Sequence, residues 1–254
     1  MQLPKTPSFA LNNRRALVTG ASRGIGLGAA VALADAGAHV MLVARSADEL
    51  SDVCNTMQQA GYQAEALVLD VTDTARVRET IGALDAFDIL VNNAGANRPG
   101  PMLDMREDDF DLVMDVNVRA AYFMAQSVVA GMIKAGKAGA ITNTSSQMGH
   151  VGGIDRTVYC ASKFAIEGMT RALAIEVAEH NIRVNTVCPT FIATPFTEKT
   201  LNDPERVAWI KSKIKLGRIG KIEDVMGAFV FLSSDAASLI TGTSLLIDGG
   251  WTAG

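Results

Sequence analysis

Residues 15–37, RALVTGASRGIGLGAAVALADAG, run from a β-branched apolar strand through a glycine turn into an apolar, helix-forming stretch. That succession leaves few folds open. A strand apolar on both faces must be covered on both, and a helix that follows it directly packs back across the sheet. The same alternation recurs along the chain. HVMLVA (39–44), QAEALVLD (63–70), FDILVNNAG (87–95), GAITNTSS (139–146), IRVNTVCPT (182–190) and SLLIDGG (244–250) read as six further strands. Between them the spacing predicts helices over 25–37, 46–61, 72–84, 107–136, 156–179, 203–215 and 221–233. Gly37 suits the position just past a helix end, and Ser46 with Glu49 forms a capping box. The result is an α/β chain of right-handed βαβ units on a parallel sheet. Composition does not shift along the sequence, so a single domain over 14–254 is expected, preceded by a loose arm over 1–13.

Bulk properties exclude several functions. The net charge of −4 gives no reason to expect nucleic acid or an anionic membrane as partner. No apolar run reaches the roughly 18 residues of a membrane span. The opening MQLPKTPSFALNNRR lacks the apolar core of a secretory signal, which points to a cytoplasmic address. Cys54, Cys160 and Cys188 make neither a CxxC pair nor a regular ladder, and His39, His150 and His180 are scattered. Neither a disulfide framework nor a metal centre is indicated.

The turn TGASRGIG (19–26) has the pattern GxxxGxG. Gly20 permits the tight turn. Gly24 lets backbone N–H groups approach a pyrophosphate at the helix N-terminus, and Gly26 lets helix and strand pack closely. This is the signature of dinucleotide binding, although a glycine-rich turn without a ligand has the same letters. The second strand ends in Ala44 and Arg45, where an NAD enzyme of this architecture carries an acid for the ribose 2′-OH. Arg23 adds a second guanidinium within the turn. Two arginines and no carboxylate suit the 2′-phosphate of NADP, with NAD the less suited cofactor. The competing reading makes both arginines solvated surface charges.

Four blocks now stand in order: TGASRGIG, NNAG (92–95), TSS (144–146) and YCASK (159–163). As a set they resemble the short-chain dehydrogenase/reductase family in its shorter form, over nearly the whole chain. The resemblance implies a Rossmann-type, doubly wound fold with a seven-stranded parallel sheet, and a homotetramer. It implies Asn117, Ser146, Tyr159 and Lys163 as the catalytic set. Ser146 is taken over Ser145 because family members place the serine thirteen residues before the tyrosine. Alternate strand residues face opposite ways, so one of the two serines faces the substrate. The implied cofactor contacts are Gly20, Ser22, Arg23, Gly24, Ile25, Gly26, Arg45, Asp70, Val71, Asn92, Gly95, Tyr159, Lys163, Pro189, Ile192 and Thr194. One departure stands out. Pro189-Thr190 replaces the family's Pro-Gly, which puts the local loop shape in question.

Tyr159 and Lys163, at i and i+4, share a helix face. A free tyrosine has a pKa of about 10, and the lysine ammonium is expected to lower it enough for proton exchange near neutral pH. Tyr159 then protonates a carbonyl oxygen as hydride arrives, Ser146 fixes that oxygen, and Lys163 grips the nicotinamide ribose. Asn117 is expected to hold a water that links Lys163 to solvent. Taken singly, each of these residues also reads as ordinary packing or turn chemistry. Cys160 reads as a small core residue, since it points about 100° away from Tyr159. The segment GANRPGP (95–101) leaves the fourth strand where open α/β sheets place ligands. Asn97 and Arg98 are therefore expected at the rim of the substrate pocket, with Gln147 and His150 facing the same space. Arg98 resembles an arginine of gluconate 5-dehydrogenase-like sequences and suits a substrate carboxylate. Its alternative is a solvated charge paired with Asp104 or Glu107. The leading expectation is an NADP(H)-dependent enzyme interconverting a secondary alcohol and a ketone, on a sugar acid or polyol. A 3-oxoacyl-carrier-protein reductase is the runner-up, and a dinucleotide-binding sensor without turnover the reading from another class.

Overall fold

The computed structural model describes all 254 residues. Seven parallel strands form one sheet in the order β3-β2-β1-β4-β5-β6-β7. They are β1 Arg15–Thr19, β2 His39–Ala44, β3 Ala64–Val68, β4 Ile89–Asn92, β5 Gly139–Thr144, β6 Ile182–Pro189 and β7 Ser244–Ile247. The helices are α1 Gly24–Asp35, α2 Ala47–Gln59, α3 Thr74–Gly82, α4 Glu107–Met114, α5 Ala120–Lys134, α6 Thr157–Glu176, α7 Glu198–Leu201, α8 Pro204–Lys213 and α9 Glu223–Ser233. The strand order reverses between β1 and β4, and a doubly wound sheet opens its ligand crevice at such a point.

Alternation along the strands builds two cores. Ala16 and Val18 of β1 join α1, α2 and α9 on one face, where Leu33, Leu50 and Phe229 are fully buried. Leu17 points the other way, toward α3, α5 and α6, with Met124, Met132 and Ile141. No helix is long and apolar enough to cross a membrane.

Four details differ from expectation. The helix expected over 107–136 is two helices. A π-helical turn, Asp115–Arg119, separates α4 from α5 and carries Asn117. Its extra residue is invisible to a 3.6-residue apolar period, and such turns gather at functional sites. The short helix α7 also falls in a stretch without a helical signal. The first ten residues are exposed and without regular structure, but residue 11 is not. Leu11 is 1% exposed within the core, and its N–H bonds the Ala36 carbonyl at 2.7 Å. The capping box is half formed: the Ser46 hydroxyl accepts from the Glu49 N–H at 3.4 Å, but the Glu49 carboxylate turns to Arg23.

Candidate active site

The C-terminal ends of β1, β4, β5 and β6 open into a cleft of about 1170 Å³. The glycine turn forms one end. Gly20 has φ +64°, and a Cβ there would lie 3.0 Å from the Ala94 backbone. A Cβ on Gly26 would sit 2.1 Å from the Gly20 carbonyl oxygen, so α1 approaches β1 as only glycine allows. The α1 N-terminus has no side-chain cap, which leaves its first N–H groups for a ligand.

Ser22, Arg23, Gly24, Ile25, Arg45, Asp70, Val71, Gly95, Pro189, Ile192 and Thr194 all line this cleft, as expected of cofactor contacts. Arg45 is exposed at the rim. Arg23 is not free: Glu49 lies 3.8 Å from it, a carboxylate the sequence reading missed because it comes from the first turn of α2. Burial works to raise the Asp70 pKa. The N–H and hydroxyl of Thr72, at 2.9 and 2.8 Å, together with Arg45 hold it below the usual carboxylate range. Asp70 therefore offers an ionised oxygen to a ribose or adenine group. A dinucleotide fits this set of donors and acceptors.

Asn92 is not in the cleft. It points to the opposite face, where its amide donates to the Ala121 carbonyl and to Asn143, both at 3.0 Å. Its neighbour Asn93 lines the cleft and donates to the Thr19 and Gly20 carbonyls at 3.2 and 3.3 Å. The Thr19 hydroxyl accepts from Asn93 and Ala94 in return. Strand alternation carries the signal for this choice, since Asn92 still belongs to β4 and Asn93 follows it.

The other end of the cleft holds Ser146, Tyr159 and Lys163. Ser146 is 8% exposed and accepts from the Met148 N–H at 3.1 Å. Its own hydroxyl has a long contact, 3.4 Å, to the Pro189 carbonyl and faces the Tyr159 phenol within hydrogen-bonding reach. Ser145 turns toward Gly149 and Glu167 behind the cleft. The Lys163 ammonium lies 5.5 Å from the centre of the Tyr159 ring and donates to the Thr144 carbonyl at 2.8 Å.

The expected depression of the tyrosine pKa does not occur in this state. Burial pushes the Tyr159 phenol up to about 12, against the opposing pull of Ser146 and Arg156. Burial also pushes the Lys163 amine down to about 8, against Cys188 and Glu167. The ammonium sits over the ring face and on a carbonyl, so desolvation outweighs its effect on the phenol.

Asn117 is 2% exposed and does not reach Lys163. Its amide donates to the Ala96 carbonyl and the Ser162 hydroxyl, both at 3.0 Å, and its oxygen accepts from the Ala96 N–H at 2.7 Å. Ser162 in turn donates to the Tyr159 carbonyl at 2.7 Å. The side chain thus ties the loop after β4 to α6.

Gln147 lines the cleft at 1% exposure, with neither side-chain polar atom partnered. His150 does not face the substrate space. Its Nε2 lies 3.6 Å from Glu167, and Cys188 completes a group whose ligand atoms fall within 4.8 Å of one another. Residues this far apart in sequence form no spacing pattern, so the cluster was not legible there. Thr186, Ser244 and Cys188 donate to the Glu167 carboxylate. Arg98 lines the cleft but is paired with Asp109 at 3.1 Å, rather than with Asp104 or Glu107. Thr190 needs no glycine-like backbone: the only non-glycine residues at positive φ are Asn13, Asp155 and Asn181. Pro189-Thr190 therefore places no left-handed strain on this loop.

A family model described as enoyl-(acyl carrier protein) reductase, of the short-chain dehydrogenase type, matches residues 20–252. The chain belongs to the short-chain dehydrogenase/reductase family. This short-chain dehydrogenase is 38% identical over 248 residues to gluconate 5-dehydrogenase of Gluconobacter oxydans (strain 621H), covering 96% of each chain. It is 38% identical to D-erythrulose reductase of Gallus gallus, covering 96% of this chain and 98% of that one. The solved gluconate 5-dehydrogenase of Burkholderia cenocepacia J2315, in complex with NADP and tartrate, superposes with a TM-score of 0.93 at 33% identity, covering 97% and 98%.

Proposed function

We propose that this chain is an NADP(H)-dependent oxidoreductase that interconverts a secondary alcohol and a ketone, with a sugar acid or polyol as substrate. One observation carries the reading. Tyr159, Lys163 and Ser146 share one cleft with an uncapped helix N-terminus behind a glycine turn. The relatives that act on gluconate and erythrulose, and the relative bound to NADP, support it.

When bound, the nicotinamide supplies or accepts the hydride. The chain's own groups manage the proton and the oxygen. Tyr159, protonated at neutral pH with its pKa near 12, donates its phenolic proton to the substrate oxygen. Ser146 offers that oxygen a second donor, its hydroxyl being held only weakly elsewhere. Lys163 keeps its charge below about pH 8 and offers two remaining N–H donors to a ribose. Asn117 positions the helix that carries both. Arg45, at the end of β2, accepts the 2′-phosphate, and Asp70 faces the adenosine. A long acyl chain is less well suited, because Gln147, Arg98 and Arg156 line the substrate end. We further infer a cytoplasmic homotetramer. All three cysteines are free, and α4 to α6 leave Phe110, Tyr122, Phe164 and Ile175 exposed.

The test is NADPH oxidation with a keto sugar acid, a neutral keto sugar and an acyl thioester, using wild type and Tyr159→Phe. Turnover on the sugars, lost in a folded Tyr159→Phe that still binds NADPH, is expected. Substantial residual turnover in that variant would overturn the assignment.

A further inference from the structure

Arg156, one helical turn before Tyr159, has a placement that the reaction above does not use. It occupies the N-cap position of α6 and lines the cleft, yet is only 6% exposed. A buried guanidinium ordinarily has a carboxylate beside it. This one has none. Its single side-chain hydrogen bond runs from Nη1 to the Asp155 carbonyl at 3.1 Å. The Asp155 carboxylate turns away to Arg206, at 3.7 Å. Arginine carries five N–H donors, so most of this fork has no acceptor in the protein.

The local backbone holds it there. Asp155 adopts φ +58°, an uncommon conformation for a side-chain-bearing residue. Its carbonyl takes both the Arg156 guanidinium and the Gly100 N–H, the latter at 3.1 Å, which anchors the turn to the loop after β4. Arg206 adds a second positive charge nearby, and burial followed by Arg206 lowers the guanidinium's pKa, against opposing pulls from Asp155, Tyr159 and Cys160. Two other cations that line the cleft are occupied. Arg98 is paired with Asp109, and Lys163 is bonded to Thr144.

We propose that Arg156 is the anchor for a substrate carboxylate, holding a hydroxy or keto acid with its reacting carbon at Tyr159 and Ser146. The rise from residue 156 to 159 along the helix is about 4.5 Å, so one small acid spans both groups. The N-terminus of a 20-residue helix adds to the attraction for an anion. The inference rests on the reductase reading and narrows it to acids, with Arg156 in place of Arg98 as the specificity-determining residue.

The experiment compares a keto sugar acid with a neutral keto sugar of the same length, both with NADPH. Wild type is expected to prefer the acid. Arg156→Gln is expected to raise KM for the acid tenfold or more, while KM for the neutral sugar changes several-fold less. Arg156→Lys, which keeps the charge but loses the fork, is expected to fall between. It carries the test should Arg156→Gln unfold. Arg98→Gln is expected to show a smaller acid-specific effect. Equal losses on both sugars in the folded Arg156 variants, or no preference for the acid in wild type, would overturn the proposal and leave the reductase reading standing. No turnover by wild type on any carbonyl substrate would overturn the reductase reading instead.

Discussion

Lys163 is expected to be a stability cost that the protein retains for chemistry. Its amine is 5% exposed as a residue, and burial lowers its pKa from 10.5 to about 8. At pH 7 it is nonetheless charged. Holding the charge there costs about 3 kcal/mol, since each tenfold change in proton affinity is worth about 1.4 kcal/mol. Lys163→Met keeps the apolar stem and removes the charge. It also forfeits the bond to the Thr144 carbonyl, worth about 1 kcal/mol. The cofactor-free variant should therefore be about 2 kcal/mol more stable than wild type at pH 7, and inactive. For a chain of this size that corresponds to a rise in Tm of roughly 4–8 °C. The sign with pH follows from the lowered pKa. Between about pH 8 and 10.5 the unfolded lysine binds a proton that the folded one has released. Wild type thus gains stability relative to the variant as pH rises through that window, and the gap closes and then reverses by up to about 1 kcal/mol, the worth of the Thr144 bond. Below pH 8 the gap is constant. Thermal unfolding of both proteins from pH 7 to 10.5 measures it. A variant less stable than wild type at pH 7, or a gap independent of pH up to 10.5, would refute the reasoning.

Arg45→Ala should raise KM for NADPH more than for NADH, by the tenfold to hundredfold that a lost charge-assisted contact of about 1.5–3 kcal/mol implies; steady-state kinetics with both cofactors checks it, and an unchanged ratio counts against the 2′-phosphate role. Gly26→Ala should destabilise the fold by about 1–3 kcal/mol and abolish NADPH binding, because its Cβ would meet the Gly20 carbonyl at 2.1 Å; denaturant unfolding and cofactor fluorescence read both, and normal values for either would contradict the close approach. Light scattering at micromolar concentration should give a tetramer mass for wild type and a smaller one for Phe164→Glu with Ile175→Glu, both on α6; a wild-type monomer would remove the tetramer from the reading.

The order of strands and helices along the chain, the parallel sheet and the place of the glycine turn were legible in the letters. Those follow from period and from backbone demands that only glycine meets, both of which are local properties of the letters. The pairing of Tyr159 with Lys163 was also legible, because the two sit one turn apart on the same helix and need nothing distant to be recognised as a pair. Everything that depends on which way a side chain points, and on what surrounds it, came only with the packed fold. Asn92 and Asn93 are adjacent identical letters, and only the pleat of β4 sends one to the core and the other to the glycine turn. The break at Asn117 is a single extra residue in a helix whose apolar period continues across it. His150, Glu167 and Cys188 meet across 38 residues of sequence with no spacing to mark them. The two arginines of the substrate end differ in the same way. Arg98 and Arg156 are both single charges in glycine-containing loops, and sequence favours the one beside the strand end. Desolvation and pairing separate them: Asp109 neutralises Arg98 at the surface, while Arg156 is buried with no carboxylate at hand. Burial likewise sets the direction of the Tyr159 and Lys163 pKa values, since the energy of a charge depends on the medium around it and not on its neighbours in the chain.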